Sequence, residues 1–197
     1  MTEEVLVSTR ERLLRAAQEL IEEDGYGTAS VAAIADRAGV AAGTLYRHFD
    51  SKEDLFVEVF RAVCSGEERA MRAASAQMSS AGAAARLEEV LGTFAERALR
   101  NPRLAWALIA EPVDPLVDAE RLAYRERYAA VIAEELRAGI RSGELPAQDV
   151  ELTAAALVGG CGEALVGPLS PLSGSPPARE EIVAALRLFV RRAVGAA

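Results

Sequence analysis

Apolar residues recur every three or four positions along almost the whole chain, and that period commits it to α-helices packed by their apolar stripes. Leu13, Leu14, Ala17, Leu20 and Ile21 make one stripe, which opens at Ser8 with Glu11 in capping-box spacing and closes at Gly25. No segment alternates as a half-buried strand would, and no internal repeat is visible. The same period predicts a short helix after Ser30, another over 42–49, and one from Ser51 carrying Leu55, Phe56, Val59, Phe60 and Val63. Further on it predicts helices over 84–100, from Pro102, over 117–141, over 148–166 and over 179–194. Pro112 and Pro115 cannot both sit inside one helix, so a break falls between them. The expectation is an all-α fold of about nine helices: three short ones in residues 1–50, then six in a larger domain over 51–197.

The chain has 197 residues, a net charge of −8 and 51% apolar residues, an ordinary globular composition. No uncharged apolar stretch reaches the roughly 18 residues that cross a bilayer. The N-terminus carries Glu3 and Glu4 where a leader would be basic, so a cytoplasmic protein is expected. Cys64 and Cys161 lie too far apart in sequence for a redox pair and read as reduced, buried thiols. His48 is the only histidine, and no cluster of metal-ligating side chains accompanies it, which argues against an enzyme, a metal or a cofactor.

Nucleic-acid binders are usually basic, and this chain is not. Positive charge is local: residues 1–27 sum to −4, whereas 28–52 sum to +1 through Arg37, Arg47 and Lys52 against Asp36 and Asp50. The single Lys and the single His, Lys52 and His48, fall in that same short segment. Two short helices meet there at Gly39, which suits a left-handed turn, with Ile34, Ala35, Ala38, Val40, Leu45 and Phe49 as the apolar lock between them. The outward set of the second helix is then Ala42, Gly43, Thr44, Tyr46, Arg47 and His48.

The stretch TASVAAIADRAGVAAGTLYRHFDSKEDL, residues 28–55, resembles the DNA-binding signature of the tetracycline-repressor family. The likeness extends over about 9–60, with Arg12, Leu14, Ala16, Ala17, Leu20, Ile21, Gly25 and Tyr26 at the family's spacings. It implies a helix-turn-helix transcriptional regulator, most often a repressor, that binds a palindromic operator in double-stranded DNA as a homodimer and lets go when a small molecule binds. Ala42 and Gly43 admit close backbone approach and touch at most a thymine methyl, Thr44 bonds a base or phosphate, and Arg47 has the reach for bidentate guanine readout. Tyr46, His48 and Lys52 match phosphate-holding positions, and Ser30 caps its helix and offers its hydroxyl to the same backbone. Ala41 departs from the Ser or Thr that the family often carries as N-cap, which removes a cap and one possible phosphate contact. Other readings stand beside these: Tyr46 packed on the first helix, His48 merely solvated, Arg47 paired with Asp50. A helical binding module that has lost DNA is the rival function, favoured by Ala41 and the acidic charge.

For the larger domain the resemblance implies an effector cavity between the fourth and eighth helices and a dimer interface from the last two. Cavity candidates are Phe60, Cys64, Phe94, Trp106, Ile109, Tyr124, Tyr128 and Cys161, with Trp106 equally readable as core. Tyr124 and Tyr128 sit one turn apart, away from a stripe of Leu122, Ala129, Ile132 and Leu136. Their make-up suits an apolar or aromatic effector. Interface candidates are Val150, Leu157, Val158 and Leu165, in a helix whose Gly159, Gly160 and Gly162 favour close helix approach, with Ile182, Leu186, Phe189 and Val190. Burial inside one subunit is the alternative for these.

Overall fold

A computed structural model describes residues 8–195. It is all-α over that range: α1 (Thr9–Asp24), α2 (Val31–Arg37), α3 (Lys52–Gln77), α4 (Ala83–Arg100), α5 (Pro102–Ile109), α6 (Pro115–Ser142), α7 (Val150–Leu169) and α8 (Arg179–Ala193). Two 3₁₀ segments, Tyr26–Thr28 and Ala42–Arg47, complete the elements. The second stands where the third helix is expected. It has six residues, a glycine within them, and Ala41 as an N-cap without a side-chain hydrogen bond. With so little to nucleate an α-helical turn, the chain takes the tighter form, Thr44 N–H donating to the Ala41 carbonyl at 2.8 Å.

Local chemistry sets most boundaries. The Ser8 hydroxyl accepts from Glu11 N–H while Glu11 accepts from Ser8 N–H at 2.8 Å, closing the capping box. Ser30 and Ser51 cap α2 and α3 in the same way. Pro102 and Pro115 occupy first-turn positions behind the caps Asn101 and Asp114. Gly39 takes φ +65, and Nη2 of the Arg12 guanidinium, on α1, donates to the Ala38 and Gly39 carbonyls, fixing the turn onto α1.

The axis of the fold is α3. Its first half packs on α1 through Leu55, Phe56 and Val59, and its second half on α4 and α6 through Cys64 and Met71. On α6 the buried side carries Val117, Tyr124, Tyr128, Val131, Ile132 and Leu136, whereas Leu122 is 61% exposed and belongs to no core stripe. Tyr124 and Tyr128 share the period of Val117 and Val131, which puts Leu122 on another side of the helix. Burial also claims Leu157, Leu165, Leu186 and Val190, so these four proposed interface residues form the chain's own core instead. The 3.6-residue period turns them inward and leaves another face of α7 and α8 outside.

Helix α8 is stitched to α4 by ion pairs: Arg187 to Glu89 (2.6 Å) and Glu96 (3.2 Å), and Arg191 to Glu88 (2.7 Å). Among the described helices α7 alone is long and apolar enough to cross a bilayer. Here it buries Ala154, Leu157, Cys161 and Leu165, packs mainly along α6, and exposes Glu151 and Glu163.

Candidate DNA-reading surface and effector cavity

Leu45 and Phe49 are buried beneath the 3₁₀ segment, against Leu13, Ile34 and Ala38, and that anchoring decides which side chains face out. Ala41, Ala42, Gly43, Arg47 and His48 are exposed, Tyr46 is 58% exposed, and Thr44 is half-buried. Tyr46 therefore does not pack on α1. Asp50 is not an ion-pair partner of Arg47 among the described residues; the arginine that pairs nearby is Arg37, with Glu23 at 2.7 Å and Glu19 at 3.6 Å. Ser30, exposed, spends its hydroxyl on Ala33 N–H at 3.2 Å.

Lys52 has a more specific setting than the sequence suggests. It sits in the first turn of α3, where the helix dipole disfavours a cation. Its ammonium lies 5.6 Å from the Tyr26 ring centre and 5.3 Å from that of Phe56, two rings 4.6 Å apart. Those ring faces compensate the unfavourable dipole.

A cavity of about 430 Å³ opens between α1, α3, α4, α5, α6 and α7. Phe60, Cys64, Phe94, Ile109, Tyr124 and Tyr128 line it; Trp106 and Cys161 do not. The exclusions follow from helical phase. Helix α5 turns Leu104, Ala105, Leu108 and Ile109 to the cavity, leaving Trp106 on its other side, half-buried against the core. Helix α7 presents Val158 and Gly162, so Cys161 points into the packed interior. Val158, a proposed interface residue, thus faces the cavity.

Polar groups in the wall are held. Tyr128 donates its hydroxyl hydrogen to the Cys64 carbonyl at 3.2 Å, and Tyr124 donates to the Arg61 carbonyl at 3.1 Å beside Ser65 Oγ at 2.8 Å. Burial pushes the Cys64 thiol up to about 12 and raises the Tyr128 phenol, so both stay protonated in neutral solution. Arg97 pairs with Glu67 through two bonds of 2.7 and 2.9 Å. Arg121 donates to the carbonyls of Leu108 (2.9 Å), Ala107 (3.2 Å) and Glu111 (2.9 Å) and to Asp118 (2.7 Å), and its burial lowers its pKa. Gln18 and Glu22, on α1, complete the wall, so the cavity touches the reading unit itself.

Sequence reading missed Leu104, Leu108, Arg97 and Arg121. Leu104 and Leu108 carry the i, i+4 signature of an apolar face; Arg97 finds its partner Glu67 on α3, and Arg121, apart from Asp118 on its own helix, binds carbonyls of α5 and of the turn after it. Leu152, 68% exposed, and Leu188, 45% exposed, were also missed on the outward face of α7 and α8; of the interface candidates named from the sequence, Phe189 is 43% exposed, against Gly160, and Val150 and Ile182 are half-buried. Among the described residues no group of His, Cys, Asp and Glu is placed to hold a metal ion.

Residues 13–59 match the family described as bacterial regulatory proteins, tetR family. The chain is 34% identical over 155 residues to the HTH-type transcriptional repressor KstR2 of Rhodococcus jostii, covering 73% of this chain and 71% of that one. It shares its fold with the regulator FadR of Bacillus subtilis, solved with stearoyl-CoA, at a TM-score of 0.77 and 24% identity over 94% of this chain and 98% of that one. A likeness of TM-score 0.69 and 18% identity, over 95% and 93% of the two chains, links it to RolR, solved with resorcinol.

Proposed function

The chain belongs to the tetR family of bacterial regulatory proteins and is a helix-turn-helix regulator of transcription; we propose that it represses from a palindromic operator as a homodimer and is released by a small molecule. One observation carries the reading: a solvent-facing set of Tyr46, Arg47 and His48 stands on a buried Leu45–Phe49 base, in the same packed body as a cavity walled partly by α1. The division of labour follows from this. Residues 1–50 read DNA, and 51–197 bind the effector and the second copy. Arg47 reads a base; Ala42 and Gly43 allow close approach; Thr44 bonds a base or phosphate; Tyr46, His48, Lys52 and Ser30 hold backbone phosphate. Ala41 gives no side-chain contact, so sequence-dependent DNA shape contributes to specificity.

The outward face of α7 and α8 supports the homodimer. A row of Leu152, Leu188 and Phe189 with small residues between them is what a two-fold helical interface buries.

FadR was solved with stearoyl-CoA and RolR with resorcinol, both molecules with an apolar or aromatic body. The aromatic and aliphatic wall here suits such a body. Around it stand Arg97, Arg100, Arg121 and Arg125 against Glu22 and Glu67, an excess of positive charge in an acidic chain. An apolar effector carrying one acidic group fits that balance, and the protein acts on DNA in the cytoplasm.

A mobility-shift assay with DNA flanking the protein's own gene tests the reading. A retarded complex that sharpens on an inverted repeat supports it. No shift with any such fragment, at low salt and micromolar protein, favours the rival helical module that has lost DNA.

A further inference from the structure

Between α5 and α6 the chain makes its proline break, and one residue of that break reaches across to the reading unit. The Glu111 carboxylate accepts from Tyr26 N–H at 3.1 Å and from Gly27 N–H at 3.4 Å. It lies directly over Gly25, where a Cβ would stand 3.2 Å from one carboxylate oxygen. Gly25 has φ +91, a conformation that side chains rarely adopt, and is buried under this contact. Residues 25–30 are the whole link between α1 and α2, so what holds its first half helps set how α2, and the segment it supports, lies on α1.

Glu111 is itself held from the cavity side. Its backbone N–H donates to the Trp106 carbonyl at 2.9 Å, and its carbonyl accepts from Arg121 at 2.9 Å. The same guanidinium takes the carbonyls of Ala107 and Leu108, the frayed end of α5. Arg121, Leu108 and Ile109 all line the cavity, and α5 packs on α1.

We propose that Glu111 is the positioning residue through which the effector cavity holds the DNA-reading unit, with Arg121 fixing Glu111 in place. The inference rests on the regulatory reading above. A molecule that draws Arg121 off the α5 carbonyls, or wedges α5 from α1, withdraws the carboxylate from the Tyr26 and Gly27 amides. The α1–α2 link is then free to shift, and the two reading segments of a dimer lose their mutual spacing. Occupancy matters only to the extent that the molecule prefers the withdrawn state.

The test uses the full chain, the flanking DNA fragment that the wild type retains, and three variants: Glu111→Gln, Glu111→Asp and Glu111→Ala. Gln keeps an oxygen at the same reach, whereas Asp keeps the charge but is one methylene short. Affinity for the fragment is read together with amide exchange at Tyr26 and Gly27 and with the thermal midpoint. Glu111→Ala and Glu111→Asp are expected to exchange those two amides about tenfold faster and to bind about tenfold more weakly, with the midpoint lowered by no more than about 5 °C and the transition still single. Glu111→Gln, with one acceptor oxygen for the two amides, is expected to keep the Tyr26 bond and release the longer Gly27 bond: exchange at Tyr26 and DNA affinity stay within about threefold of wild type, while exchange at Gly27 quickens. Should the Ala variant not fold, Asp against Gln decides. A wild type that binds while Asp and Ala bind equally well overturns this inference alone. Weaker binding without faster exchange at 26 and 27 overturns it too. A wild type that binds no DNA removes the regulatory reading, and the inference with it.

Discussion

Gly139 of α6 and Ala83 of α4 approach so closely that a methyl on Gly139 would come within 2.6 Å of the Ala83 Cβ and 2.7 Å of Leu145 Cδ1. The glycine leaves no room for a side chain between these two helices. On an open helix, Gly→Ala stabilises by about 1 kcal/mol. Here Ala83 is buried and has no rotamer to yield, so Gly139→Ala is expected to destabilise by about 1–3 kcal/mol through overpacking. Denaturant unfolding checks the sign; a raised midpoint would show that α4 and α6 separate at little cost.

The second copy is expected to bind through α7 and α8. Phe189→Glu places a charge on the exposed apolar face of α8, at a side chain that is not part of the buried core. Light scattering at micromolar concentration should then report a monomer, where the wild type reports a dimer. A Phe189→Glu dimer of undiminished stability would place the interface elsewhere.

Reading and holding DNA should separate by residue. Arg47→Ala is expected to relax preference at one base position per half-site by about 1–3 kcal/mol. Lys52→Ala should weaken all sequences alike and lower the salt slope by about one unit. Salt titrations of both variants against operator and scrambled DNA make the comparison. An unchanged slope in Lys52→Ala would confine the ammonium to its place over Tyr26 and Phe56.

Alkaline stability is expected to depend on the two buried thiols. Burial pushes Cys64 up to about 12 and Cys161 up to about 11. An unfolded cysteine titrates near 8.5, so folding raises both values. The stability each contributes is fully present below about pH 8.5 and is lost as pH rises toward the folded values, at up to about 1.4 kcal/mol per pH unit per thiol. Urea midpoints of wild type and Cys64→Ala between pH 8 and 10.5 should therefore converge. Parallel curves would mean that Cys64 titrates normally in the fold.

Local signals were the legible ones. The Ser8–Glu11 capping box, the turn at Gly39 and the prolines at 102 and 115 are set by residues a few positions apart, and each appears where the sequence puts it. What a helix does with its sides was less legible. The stripe through Leu157, Leu165, Leu186 and Val190 reads as apolar whether it meets the same chain or a second copy, and periodicity cannot choose. Trp106 and Cys161 failed as cavity residues for a related reason: composition names a helix's large side chains but not the phase it presents to a void. The Glu111 contact with Tyr26 spans 85 positions and rests on a carboxylate that looks, in sequence, like any helix-end glutamate.

The setting of Lys52 makes the protein its own reporter. It carries the only side-chain amine in the chain, so reductive methylation with isotope-labelled formaldehyde marks it and the amino terminus, leaving every arginine untouched. Methyl groups on a nitrogen held 5.3 and 5.6 Å from two ring centres feel ring currents, which move their resonance away from that of a solvated dimethyl-lysine. A phosphate that captures the ammonium, or a shift of the link bearing Tyr26, abolishes that displacement. A single resonance can thus follow both DNA and effector, before either has been identified.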